Sequence, residues 1–204
     1  STVISRTMYV MPGLIIALLL TMLMLPLLMR FAPELGLVDQ PGERKVHLND
    51  TPRSGGLAVT IGFFGAALVF LPLSGQLLYL YAGAMVVVTF ALLDDRGGLS
   101  YEWKFVGQIV AVLILMSGGI VIEHLPFTPV HFSAPWLSYG ITFLFLLGSI
   151  NAVNLSDGLD GLAAGISLLS LCLLVLLAYQ SGNREVAFLS TALVGGLIGF
   201  LRYN

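Results

Sequence analysis

The stretch "MYVMPGLIIALLLTMLMLPLLM", Met8 to Met29, holds no Asp, Glu, Lys, Arg or His. A helix crosses the hydrocarbon core of a bilayer with about 20 apolar residues. The run also exceeds the roughly 7–15 apolar residues of a secretion signal, and no small-residue cleavage pattern follows it. It reads as a retained transmembrane helix, with Pro26 as a kink point.

Six more uncharged runs follow: Leu57–Leu73, Leu77–Leu93, Phe105–Ile122, Trp136–Val153, Gly161–Tyr179 and Val186–Leu201. Each is continuous rather than alternating, so helices are expected and not barrel strands. The composition agrees. The chain is 57% hydrophobic and 10% charged, against roughly 25% charged in soluble domains. The fold expected is all-α, a polytopic transmembrane bundle of about seven spans forming a single integral-membrane domain over residues 1–204.

The basic residues orient the bundle. With the N-terminus outside, Arg30, Arg44, Lys45, Arg53, Arg96, Lys104 and Arg202 fall inside, and only Arg6 and Arg184 fall outside. That is a clear positive-inside bias. Nine of the eleven acids also fall inside, including Asp94, Asp95, Asp157 and Asp160. Acids contribute little to topology, so their asymmetry points to a cytoplasmic site. The formal net charge of −2 offers no basic field, and nucleic acid is not expected as a partner. Cys172 is the only cysteine and sits in an apolar run, where a thiol behaves as a small hydrophobe.

Three inside stretches carry chemistry. "GLVDQPGERKVHLNDTPRSGG", Gly36 to Gly56, places Arg44, Lys45, His47 and Arg53 among turn formers. Such a loop can hold phosphates through charge-assisted bonds, or can simply be a basic inside turn. "LLDDR", Leu92 to Arg96, ends the third run. Adjacent carboxylates repel, a cost that a cation would offset, and Mg²⁺ prefers oxygen ligands bridging to phosphates. Adjacent helix residues point about 100° apart, so Asp94 and Asp95 are expected to serve different partners. "NAVNLSDGLDGLAAG", Asn151 to Gly165, repeats Asn154, Asp157 and Asp160 at three-residue spacing, which places them on one face of a helical turn. The plainer alternative is a capped helix start.

Together, "RKVHLNDTPRSGGLAV" (Arg44–Val59), "LLDDR" and "NAVNLSDGLDGLAAG" resemble the polyprenyl-phosphate N-acetylhexosamine-1-phosphate transferase family, glycosyltransferase family 4. The resemblance implies transfer of N-acetylhexosamine 1-phosphate, such as N-acetylglucosamine 1-phosphate, from a UDP-sugar to undecaprenyl or another polyprenyl phosphate. UMP is released, and the step opens cell-envelope glycan synthesis, of which O-antigen is one product. It implies Mg²⁺, with Mn²⁺ as the alternative cation, at the cytoplasmic face of a bacterial inner membrane, and a homodimer. It implies catalytic roles for Asp94, Asp95 and Asp157, with Asp94 and Asp95 also as metal ligands. Lys45, His47, Arg53, Asn154 and Asp160 would bind substrate, Asp160 near the uracil.

Members of the family continue past the equivalent of Asn204 into a segment carrying a principal metal aspartate and then a His-rich loop. By that resemblance the chain corresponds to the N-terminal two-thirds of the family domain. Taken alone it is expected to be inactive or nearly so. The alternative is a scaffold that keeps a nucleotide-sugar site without turnover. A coupled transporter fits less well, since transporters place ionisable groups near the midplane and the seven runs hold none.

Overall fold

The computed structural model describes residues 2–36, 38–39, 51–52, 54–124, 132, 134–156 and 162–203. Among the described residues seven helices occupy the seven apolar runs: α1 Thr2–Leu35, α2 Gly55–Phe70, α3 Gly75–Gly97, α4 Tyr101–Ser117, α5 Pro135–Ser156, α6 Leu162–Ser181 and α7 Arg184–Leu201. A two-residue antiparallel ladder joins β1 (Val38–Asp39) to β2 (Thr51–Pro52) between α1 and α2. By length and composition α1, α3, α5, α6 and α7 can each cross a membrane. At about 1.5 Å per residue, the 16 residues of α2 and the 17 of α4 fall short of a hydrocarbon core of about 30 Å.

The exterior is unusually apolar, and several small hydroxyl side chains lie inside. Leu155 and Leu169 are 82% and 75% exposed, whereas Thr21, Ser54, Ser138, Thr142, Ser190 and Thr191 are buried. Lipid solvates the outer leucines, and small residues let the helices approach.

The chain divides into two compact units, Ser1–Leu71 with Asp157–Asn204, and Pro72–Ser156. In the first, α7 packs on α1, α2 and α6, and α1 on α2. A Cβ at Gly195 would meet the Leu14 backbone, and one at Gly199 would lie 3.1 Å from the Leu18 carbonyl oxygen. So α1 and α7 run in the same direction at near backbone contact. Gly55 faces the Phe200 ring and Gly196 faces Val59, so α2 runs opposite to α7. Gly195→Val is therefore expected to destabilise the protein by about 3 kcal/mol, the upper end for overpacking, because its steric partner is backbone and cannot rotate away. Thermal unfolding in detergent checks this, and an unchanged Tm would refute the packing argument.

Helix α1 continues through Pro26. Proline has no N–H, so the Met22 carbonyl loses its helical donor. The Tyr203 hydroxyl donates to that carbonyl at 3.4 Å, an example of a neighbouring helix end satisfying a backbone group freed by proline.

In the second unit α4 packs on both α3 and α5. Gly107 faces the Phe90 ring, Gly83 lies against Ala111 and Leu115, and Gly118 against Tyr79. These pairs run in opposite senses along α3 and α4, as in an antiparallel hairpin.

The fourth run was expected to stay helical to Ile122, but α4 ends at Ser117. Gly119 takes φ +78°, its N–H donates to the Met116 carbonyl at 3.0 Å, and the Ile120 N–H donates to Leu115 at 3.2 Å. This is the Schellman pattern of a glycine-terminated helix. The following backbone is satisfied by side chains. Gln76 Nε2 donates to the Gly119 carbonyl at 3.2 Å, the Ile122 N–H donates to Thr142 Oγ1 at 2.8 Å, and the Ser138 hydroxyl donates to the Ile122 carbonyl. The second run likewise stops at Phe70 rather than Leu73, since Pro72 disfavours helical backbone at Leu71, which is extended.

Candidate functional site

Asp94 and Asp95 occupy the last turn of α3. The helix then stops because Gly98 adopts φ +66°, a left-handed conformation that favours glycine at a helix C-terminus. Its N–H donates to the Asp94 carbonyl at 2.8 Å. Ser100 then caps α4 in extended conformation. This short turn returns the first turn of α4 beside the last turn of α3.

The turn closes on the Asp94 side chain. Asp94 Oδ1 accepts the Leu99 N–H at 2.9 Å. Asp94 Oδ2 accepts from Lys104 Nζ at 2.8 Å. Both oxygens of one carboxylate are thus engaged, one by backbone and one by an ammonium. The pair is only part-shielded, with Lys104 41% and Asp94 28% exposed. Asp95, half-buried, points about 100° away around the helix. Glu102, on the first turn of α4, has its carboxyl held below the usual range by a hydrogen bond from Ser100.

Helix α5 brings amides to the same end. Four residues beyond Lys104, about 6 Å along α4, Gln108 Oε1 accepts from Asn151 Nδ2 at 2.8 Å. Asn151 Nδ2 also donates to the Leu147 carbonyl at 2.8 Å. Because α5 runs opposite to α4, Asn154, exposed and three residues past Asn151, lies at the end of the unit that also carries Asp94 and Lys104. The second unit thus assembles carboxylates, an ammonium and amides at one end of three helices.

Of the residues singled out from sequence, Asp94, Asp95 and Asn154 share this end. Lys45, His47, Arg53, Asp157 and Asp160 lie outside the described residues. Three participants had no role in the sequence reading. Lys104 counted only toward membrane orientation, Gln108 was passed over, and Asn151 was quoted within its motif without a function. Gln108 did carry a signal, as the only amide side chain in its apolar run, since an amide in lipid is costly without a partner.

Among the described residues no three His, Cys, Asp or Glu side chains form a group able to hold a metal ion. The oxygen donors of Asp94 and Asp95 have the right chemistry for Mg²⁺. Asp94 already shares its charge with Lys104, and Mg²⁺ is commonly held by one or two carboxylates together with substrate phosphates and waters.

Residues 77–204 match the family described as glycosyl transferase family 4. A probable undecaprenyl-phosphate N-acetylglucosaminyl 1-phosphate transferase of Bacillus subtilis (strain 168) is 34% identical, over 98% of this chain and 56% of its own length. A decaprenyl-phosphate N-acetylglucosaminephosphotransferase of Mycobacterium tuberculosis (strain CDC 1551 / Oshkosh) is 35% identical, over 85% of this chain and 48% of its own. A phospho-N-acetylmuramoyl-pentapeptide-transferase of Geobacillus thermodenitrificans (strain NG80-2) is 40% identical, over 52% of this chain and 35% of its own. The chain spans about half the length of the curated relatives it matches.

Proposed function

The chain belongs to glycosyl transferase family 4, and on that premise we propose that the protein moves N-acetylglucosamine 1-phosphate from UDP-N-acetylglucosamine to a polyprenyl phosphate, releasing UMP. The observation that carries this reading is two side-chain pairs, Asp94 with Lys104 and Gln108 with Asn151, toward one end of α3, α4 and α5, with Asp95 next to Asp94 in the chain. A long-chain lipid phosphate presents its charge where helices end and the interface begins. The apolar helices make the chain an integral membrane protein, and the positive-inside count assigns these ends to the cytoplasm, where nucleotide sugars are made.

In the transfer, an oxygen of the lipid phosphate attacks the sugar-bearing phosphorus of the donor, and the bond from that phosphorus to the UMP oxygen breaks. Catalysis of such a step is mainly positioning and charge neutralisation. Asp95 would take the remaining proton from the lipid phosphate or help to hold Mg²⁺. Asp94 holds the Lys104 ammonium at a fixed place beside it. Mg²⁺, when bound, would neutralise charge on the phosphate oxygens, with the carboxylates of Asp94 and Asp95 as the proposed oxygen donors. Lys45, His47, Arg53 and Asp160 would contact the UDP-sugar. Undecaprenyl phosphate is the expected acceptor. The choice of N-acetylglucosamine over the muramoyl-pentapeptide donor rests on the broader coverage by the N-acetylglucosamine relatives.

The test is UMP release by the native protein in detergent with UDP-N-acetylglucosamine, undecaprenyl phosphate and Mg²⁺. Release abolished by EDTA and restored by added Mg²⁺ is expected. Release only with the muramoyl-pentapeptide nucleotide would correct the donor. Silence with both donors would overturn the transferase reading.

A further inference from the structure

Helix α4 meets α5 through a hydrogen bond between two neutral amides, Gln108 and Asn151, at 2.8 Å. The orientation of both amides follows from one backbone acceptor. The Leu147 carbonyl can only accept, so the Asn151 group 2.8 Å from it must be the NH₂. That same NH₂ reaches Gln108, which must therefore present its carbonyl oxygen. Both Nδ2 protons of Asn151 are then used. Its Oδ1 is turned away from the preceding turn of α5, and Gln108 directs its own NH₂ away from Asn151. Among the described residues neither Asn151 Oδ1 nor Gln108 Nε2 has a partner. Both residues are half-buried, so neither group is sealed from an outside partner.

We infer that Gln108 is a positioning residue that fixes the amide of Asn151 so that it offers an acceptor, not a donor, to the nucleotide sugar. The inference rests on the transferase reading above. An acceptor cannot bind a phosphate oxygen. It takes an O–H or N–H, and a UDP-sugar supplies these on its sugar hydroxyls, its acetamido group and its nucleoside. The polyprenyl phosphate offers at most one, the remaining P–O–H proton that Asp95 would take. Gln108 can act because its neighbour Gly107 packs on the Phe90 ring of α3. Gln108 lies about 100° further round the helix, toward α5. Without it, Asn151 could rotate and offer its NH₂ instead.

The experiment uses the native protein, with UDP-N-acetylglucosamine and undecaprenyl phosphate varied separately. Gln108→Leu is expected to raise KM for UDP-N-acetylglucosamine about tenfold, the value of one hydrogen bond of about 1.4 kcal/mol, while KM for the lipid phosphate stays within twofold. Gln108→Glu keeps an acceptor facing Asn151 and should recover most of the loss. Asn151→Leu should show the same defect, and Gln108→Leu with Asn151→Leu should be no worse than Asn151→Leu alone. A structural role alone would lower Tm and move both KM values together. Additive effects, or an unchanged KM for the sugar nucleotide, would overturn the inference.

Direct titration with UDP-N-acetylglucosamine separates the two readings. If the wild type binds without turnover, and Gln108→Leu but not Gln108→Glu weakens binding, the positioning role stands and the transferase reading falls. If binding is indifferent to Gln108, or the wild type binds nothing, the positioning role falls.

Discussion

Asp95→Asn is expected to lower the turnover of the native protein by roughly 10²–10⁴-fold, the range for loss of a positioned proton-transfer group. Asp94→Asn should be comparably inactive for a different reason. Asp94 uses one oxygen for the Leu99 N–H and the other for Lys104. Asn at this position keeps one acceptor, and its NH₂ then meets either the Leu99 N–H or the ammonium. One donor is left facing another donor. The turn between α3 and α4 should loosen, so Asp94→Asn should lower Tm as well as rate. Single-turnover kinetics with thermal unfolding checks both variants. An Asp95→Asn rate within threefold of wild type would remove Asp95 from the chemistry. An Asp94→Asn protein with full Tm and full rate would show that the Asp94–Lys104 pair is incidental.

The helices were legible in the sequence because the bilayer permits so few solutions. Uncharged runs of this kind must be helical to satisfy their backbone, and each of the seven carries a helix, five of them long enough to span. Their ends were less legible, since they depend on local backbone chemistry. Pro72 shortens α2, and the Gly118-Gly119 pair stops α4 at Ser117, where hydropathy alone runs on to Ile122. The two-residue ladder between β1 and β2 lay inside a stretch read only as a loop, because its turn-forming composition carries no alternating pattern.

The acidic pair was visible because two adjacent carboxylates at a span end are conspicuous. Its partner was not. Lys104 comes ten residues after Asp94, and nothing in the spacing reveals that Gly98 turns left-handed and folds α4 back onto α3. A lone lysine at a span end is adequately explained by membrane topology, and that explanation concealed its second role. The Gln108–Asn151 bond was hidden more deeply. Its partners are 43 residues apart, and only the α4–α5 register brings them together.

Lys104→Glu is expected to lower turnover at least 10²-fold, together with a marked fall in Tm. It places a carboxylate where an ammonium now sits 2.8 Å from Asp94 Oδ2. Like charges at that distance repel, and one of the two must take up a proton or move away. Lys104→Met, which removes charge without adding repulsion, should cost roughly 10–100-fold, as losses of supporting side chains behind a reacting group do. Lys104→Arg keeps the charge and should retain most of the activity, short of wild type because a planar guanidinium does not occupy the same point. The informative protein is the exchange, Asp94→Lys with Lys104→Glu. It restores an ion pair of opposite polarity, so Tm should recover partly from that of Lys104→Glu. It cannot restore the Leu99 N–H bond, because a lysine has no acceptor. It also leaves a carboxylate on α4 and an ammonium beside Asp95. Activity should therefore stay low while stability returns. If activity recovers with stability, the pair only fastens the hairpin. If stability returns and activity does not, the order of charges, carboxylate on α3 and ammonium on α4, is part of the chemistry.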